Sequence, residues 1–175
     1  MKQTRQQLLD DHEEAGEILK QVLAALREND LKASFAKLDL LWARLAVHIR
    51  AEHLHLFPAV INHFAFDSNE AQLIVEQLHD DHDFFMRELA GAINTLRELR
   101  EQPHSPDLNL TSVLNTVLEV ENRLANHNEI EENQIYRWAS TLLTEPQQED
   151  LAARIKAELD NRPPRFTLDV WENAL

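Results

Sequence analysis

Two pairs of residues, His48 with Glu52 and His127 with Glu131, share the spacing H-x-x-x-E. On a helix, positions four apart lie on one face about one turn from each other, so each pair offers an imidazole and a carboxylate side by side. His12 and His82 are single histidines in comparable surroundings. Four imidazoles and two carboxylates suit a hard-to-borderline cation. Burying two carboxylates without compensation costs several kcal/mol each, so a dry core does not keep them unpaired. The chain has no cysteine, which excludes thiolate sites, disulfides, Fe–S ligation and Cys nucleophiles. Mixed imidazole and carboxylate donors favour Fe, Mn or Zn over Cu(I), Ca or Mg. Six protein ligands exceed a tetrahedral zinc site and suit two iron ions (Fe2+/Fe3+) bridged by Glu52 and Glu131, with positions left open.

The elements that must position these residues are helices. With Gly 2 and Pro 6 in 175 residues there is little material for hairpin turns. Breaks fall at Asn29-Asp30, Asp67-Ser68-Asn69, Pro103 to Asp107, Thr144-Glu145-Pro146 and Asn161 to Pro164. They leave helical stretches over 4–28, 31–62, 69–101, 108–140 and 146–161, with a kink or end near Phe57 ahead of Pro58. Asp67, Asp107 and Pro146 read as helix starts.

Four stretches carry an apolar stripe spaced three and four. The first runs Leu8, His12, Ala15, Leu19, Val22, Leu26, and the second Leu38, Leu41, Leu45, His48, Glu52, His55. The third runs Val75, Leu78, His82, Phe85, Leu89, Ala92, Leu96, and the fourth Leu110, Val113, Val117, Val120, Leu124, His127, Glu131. Every interruption is His or Glu. In an up-down-up-down arrangement the six polar residues fall ~12–20 Å from one end of the bundle, at ~1.5 Å per residue. They therefore share a layer. No internal repeat is evident.

This order, His, H-x-x-x-E, His, H-x-x-x-E, resembles the hemerythrin-like (HHE cation-binding) domain. The local wording agrees: DDHEEAGEIL around His12, HIRAEHLHLFPAV from His48, LHDDHDFFMREL around His82 and NHNEIEE from His127. The resemblance covers residues 4–140. It implies an all-α, up-down-up-down four-helix bundle with a short fifth helix and a C-terminal tail. It also implies iron ligation by His12, His48, Glu52, His82, His127 and Glu131, with an oxo or hydroxo bridge, and binding of O2 or a related small oxidant. Oxygen-carrying members have two histidines four apart on the third helix, whereas Leu78 and Met86 flank His82 at that distance here. A fifth nitrogen could come from His55 or His79. His53, His63 and His104 read as solvent residues, and Trp42, Trp138 and Tyr136 as packing groups, although Tyr136, one turn past Glu131, could approach the metal. A ferritin-like reading, Glu52 with His55 and Glu76 with His79, ranks below because Glu76 leaves the apolar stripe.

The remaining composition sets the function classes. Lys+Arg 17 against Asp+Glu 31 gives a net charge of −14, which repels phosphate backbones and anionic lipid. No nucleic-acid or membrane partner is expected, and with no leader-like start the expected location is cytoplasmic. Residues 1–161 form the expected domain. The tail 162–175 carries Phe166, Leu168, Val170 and Trp171, apolar enough to dock on the bundle, on a second copy or on a protein partner. Three function classes follow: a binder or sensor of O2, nitric oxide or iron; a di-iron enzyme acting on peroxide or ferrous iron; and a helical interaction protein with a structural metal, Zn or Mn included.

Overall fold

The computed structural model describes residues 2–63, 69–102, 109–161 and 163. His104, the tail residues Phe166 to Trp171, and the helix starts at Asp67 and Asp107 lie outside them. Among the described residues every regular element is helical, and no helix is long and apolar enough to cross a membrane.

Helix α1 (Lys2–Arg27) turns through Asn29, held at φ 56, into α2 (Leu31–Ala51). Asp30 caps α2 by accepting a hydrogen bond from the Ala33 backbone N–H at 2.9 Å, satisfying a donor with no partner in the first turn. The long α4 (Asn69–Glu101) and α5 (Leu110–Ile130) make the second antiparallel pair, with Asn109 capping α5 through the Thr111 N–H. Helix α1 packs on α2 and α5, and α4 packs on α2 and α5, which closes the four-helix ring. Helix α7 (Glu145–Asp160), opened by a Thr144/Gln147 capping box with Pro146 in its first turn, lies across α1 and α2.

Two of the expected helical stretches, the second and the fourth, contain a wider turn. After α2 the backbone runs as a π turn over Glu52–Leu56 before α3 (Phe57–Ile61). After α5 it does the same over Glu131–Ile135 before α6 (Tyr136–Leu142). Phe57 N–H donates to the Glu52 carbonyl, and Tyr136 N–H to that of Glu131. Each is a one-residue insertion in a helix, a feature concentrated at functional sites. Pro58 does not end its helix; it sits in the first turn of α3, where its missing N–H is tolerated. Proline is not the cause of the wide turn, because the second one has none.

The core is divided. One cluster, built on Leu19, Leu41, Phe85, Leu89 and Val117, fills one half, and Leu8, Leu56, Phe57, Leu78, Ile135 and Ile155 fill the other. Between them lies a layer of buried polar groups: Asp11, Arg44, His48, Glu52, Asp81, His82, His127 and Glu131. The aliphatic halves provide the burial that stabilises the bundle, roughly 1.5–3 kcal/mol per fully buried large side chain.

Candidate metal centre

His12 comes from α1 and His82 from α4, while each H-x-x-x-E pair ends its helix at a π turn. The Nε2 atoms of all four histidines converge. His12 Nε2 lies 3.2 Å from His48 Nε2, and His82 Nε2 lies 3.0 Å from His127 Nε2. Glu52 spans the two pairs, with Oε1 3.2 Å from His48 Nε2 and Oε2 3.3 Å from His82 Nε2. Glu131 does the same, with Oε1 3.1 Å from His127 Nε2 and Oε2 3.3 Å from His12 Nε2. Two overlapping groups that could hold a metal ion result: His12, His48, Glu52 and Glu131, and Glu52, His82, His127 and Glu131, each with its donor atoms within 4.8 Å of one another.

The outward nitrogens fix the tautomers. His48 Nδ1 faces Asp11 at 2.7 Å, His127 Nδ1 faces Asp81 at 3.2 Å, His12 Nδ1 faces Glu132 at 3.3 Å, and His82 Nδ1 faces His53 Nε2 at 2.8 Å. A carboxylate can only accept, so in His12, His48 and His127 Nδ1 carries the proton, and the singly protonated ring presents its Nε2 lone pair inward. The carboxylates are braced in turn. Arg44 contacts Asp11 and, at 2.7 Å, Glu14, and Arg123 holds Asp81.

Inward lone pairs facing fully buried carboxylates need a positive charge between them. Both Glu52 oxygens and Glu131 Oε1 lack a hydrogen-bond donor although imidazole nitrogens lie within 3.3 Å. The distances are those of an ion pair, but hydrogen-bond alignment is missing. Protons or cations can fill that place, and a pair of divalent cations fits the donor set. Without a cation, protons do. Burial alone would depress His48 and His127, yet the charges of Glu52 and Glu131 outweigh it; His48 is held well above its ordinary value and His127 at about 9. Glu52 shows the converse. Burial would raise it, but the charge of His48 and then that of His82, both imidazoles close beside it, keep it well below the usual carboxylate range.

The π turns also aim two aromatic rings. Because Tyr136 sits five residues past Glu131 across a wide turn, its hydroxyl reaches 3.1 Å from His12 Nε2 and 3.5 Å from Glu131 Oε2. Phe57, equally placed after Glu52, stacks on His82 with ring planes 8° apart. Tyr136 is thus more than a packing group. Burial and then the Glu131 charge raise its phenol well above the ordinary value, so it stays protonated.

The six residues singled out in the sequence come together; His55 and His79 do not join them. The wide turn rotates His55 off the stripe that Leu56, Phe57 and Val60 continue, and its Nε2 lies 3.9 Å from Glu158 of α7. His79 is exposed, its ring 4.3 Å from that of His53. His53, expected in solvent, is half-buried behind His82, whereas His63 is exposed as expected. Glu76 bonds Gln72 on the surface, which leaves the Glu76–His79 pair of the ferritin-like reading outside the site. Trp42 packs against the core and donates to the Met86 carbonyl.

A repeat unseen in the linear reading emerges from these pairings. Asp11-His12 with Arg44, His48, Glu52 and Phe57 corresponds in role to Asp81-His82 with Arg123, His127, Glu131 and Tyr136. The signal lay in D-D-H at 10–12 and 80–82, and in R-L-A at 44–46 and 123–125. The supporting residues Asp11, Asp81, Arg44, Arg123 and Glu132 were missed because charged residues beside a stripe ordinarily face water.

All four histidines line a cavity of about 10 Å³, walled also by Ala15, Leu45, Ile49, Phe85 and Leu124. It has room for about one water-sized molecule. Asn128 also borders it, with a buried side-chain oxygen that has no partner.

Comparison with known proteins agrees with this geometry. No curated protein and no solved structure matches the chain. The Hemerythrin HHE cation binding domain matches over residues 3–139, which takes in all six converging residues and both π turns. A metal-binding helical bundle with this ligand order and this extent of match belongs to the hemerythrin HHE cation-binding domain family.

Proposed function

We propose that the chain holds two iron ions between its four histidines, bridged by Glu52 and Glu131, and binds or senses O2, nitric oxide or a related small oxidant there. The observation that carries this reading is the small cavity lined by all four histidines and walled by Ala15, Leu45, Ile49, Phe85 and Leu124. With room for about one water-sized molecule it excludes organic substrates, and its apolar wall suits a small uncharged ligand. The iron pair supplies reversible electron transfer to such a ligand. The chain supplies the rest. Glu52 and Glu131 balance cationic charge, Asp11, Asp81 and Glu132 keep the imidazole lone pairs inward, and Asn128 offers a polar group to a molecule in the cavity.

Protein loaded with Fe2+ under anaerobic conditions and then given O2 tests the reading. A stable ligand-dependent absorption band that reverses on removing O2 supports binding; irreversible oxidation with no such band contradicts it. A second reading, an enzyme turning over peroxide or ferrous iron, draws on Tyr136. Its phenol is within reach of His12 Nε2 and stays protonated, so it can donate a proton to a bound oxidant once Nε2 is engaged elsewhere. Under that reading Tyr136→Phe lowers turnover ~10²–10⁴-fold with metal content unchanged.

A further inference from the structure

The two halves of the centre are built alike, and they differ where it matters for cation affinity. His48 and His127 are backed by equivalent groups, Asp11 and Asp81, each braced by an arginine. The other two histidines are not equivalent. The residue after Glu131 is Glu132, whose Oε1 lies 3.3 Å from His12 Nδ1. The residue after Glu52 is His53, whose Nε2 lies 2.8 Å from His82 Nδ1. A carboxylate behind a ligating imidazole increases its basicity and its hold on a cation; a neutral imidazole in that place is a weaker acceptor and brings no charge. The aromatic pair is unequal in the same sense. Tyr136 places an oxygen at the His12 side, where Phe57 places only a hydrocarbon face at His82.

We infer that the two cation positions are unequal and fill in order, the His12–His48 position first and the His82–His127 position second, with Glu132 and His53 setting the difference. This rests on the ion-pair reading above. Glu132 is about one-third exposed, so part of its charge is screened. A carboxylate nonetheless faces His12 where an imidazole faces His82.

Calorimetric and optical titration of the metal-free full chain with Co2+ tests the order. The parent is expected to take two ions in resolved steps whose affinities differ ~10–100-fold, the usual effect of losing a group behind a ligand. His82→Ala should keep the first step and lose the second, and His12→Ala should lose the tight step. His53→Glu should strengthen the second step until the two merge, while Glu132→Gln should weaken the first; circular dichroism checks that each variant remains helical. Two ions bound at one affinity, or a tight step lost in His82→Ala and kept in His12→Ala, overturns the order. An unchanged second step in helical His53→Glu, or an unchanged first step in Glu132→Gln, overturns the assignment of the difference to those residues. A parent that takes up no Co2+ overturns the ion-pair reading itself and this inference with it.

Discussion

At the scale of single residues, the centre depends on what stands behind each imidazole. Asp81 holds His127 Nδ1 and is braced by Arg123, which is itself partly exposed and can be solvated if its partner loses charge. Asp81→Asn should therefore keep the helical fold and lower cation affinity ~10–100-fold, measured by competition with a chelator. An unchanged affinity would remove Asp81 from the site. Asn128→Leu tests the cavity: filling it with hydrocarbon removes the polar group next to the bound ligand, so release of that ligand should speed up while metal content stays the same. The convergence of the six residues was legible in the sequence because His and Glu interrupt otherwise apolar stripes, and a buried charge has few explanations. Their supporting residues were not. Asp11 and Asp81 precede His12 and His82 by one position, about 100° round the helix, where sequence spacing gives no sign that the helix beyond is another wall of the site.

Among the elements, the two π turns decide which side chains the site receives. A plain α-helix through Glu52 would bring His55 under the stripe, as the periodicity suggests. The inserted residue turns His55 toward Glu158 and brings Leu56 and Phe57 to the core instead. Hydrophobic periodicity cannot register such an insertion when apolar residues occupy both 56 and 57. Deleting Leu54, which is 56% exposed, should restore an α turn while keeping Phe57 and Val60 facing inward. The expected result is a metal-free melting temperature equal to or above the parent's, with weaker cation binding, because Glu52 loses the backbone that aims it. A deletion variant that binds as tightly as the parent would show that the wide turn does not serve the site. By contrast, helix number, order and most ends were readable, because Asn29-Asp30 and Thr144 to Pro146 carry the chemistry that ends one helix and caps the next.

For the whole molecule, a polar layer splits the core, so stability and cation binding are linked through protons. In the ion-free protein His127 has a folded pKa of about 9, above the ~6.5 of an unfolded chain. The stabilisation from that proton is complete below ~6.5 and disappears as pH rises through about 9. His48 contributes in the same direction, and Glu52, held low, contributes above its ordinary value and loses that contribution as pH falls through its folded value. The ion-free melting temperature should thus decline from pH 7 to 9, whereas cation uptake should release protons at pH 7 and tighten over that same interval. A rising ion-free melting temperature would reverse this assignment of charge. Each bound cation should add about 2.7 kcal/mol when the free ion is about 100 times the Kd of its site. At ~2–4 °C per kcal/mol for a chain of this size, chelation then lowers the melting temperature by roughly 5–11 °C for each ion removed. The central claim is that Glu52 and Glu131, with the four histidines around them, hold the metal as one unit. Iron content per chain, after anaerobic loading with Fe2+ and removal of free ion, addresses it directly in the parent and in the Glu52→Gln, Glu131→Gln double variant. About two irons in the parent and less than one in the double variant is the expected result; a parent that retains none, or a double variant that still retains two, would contradict it.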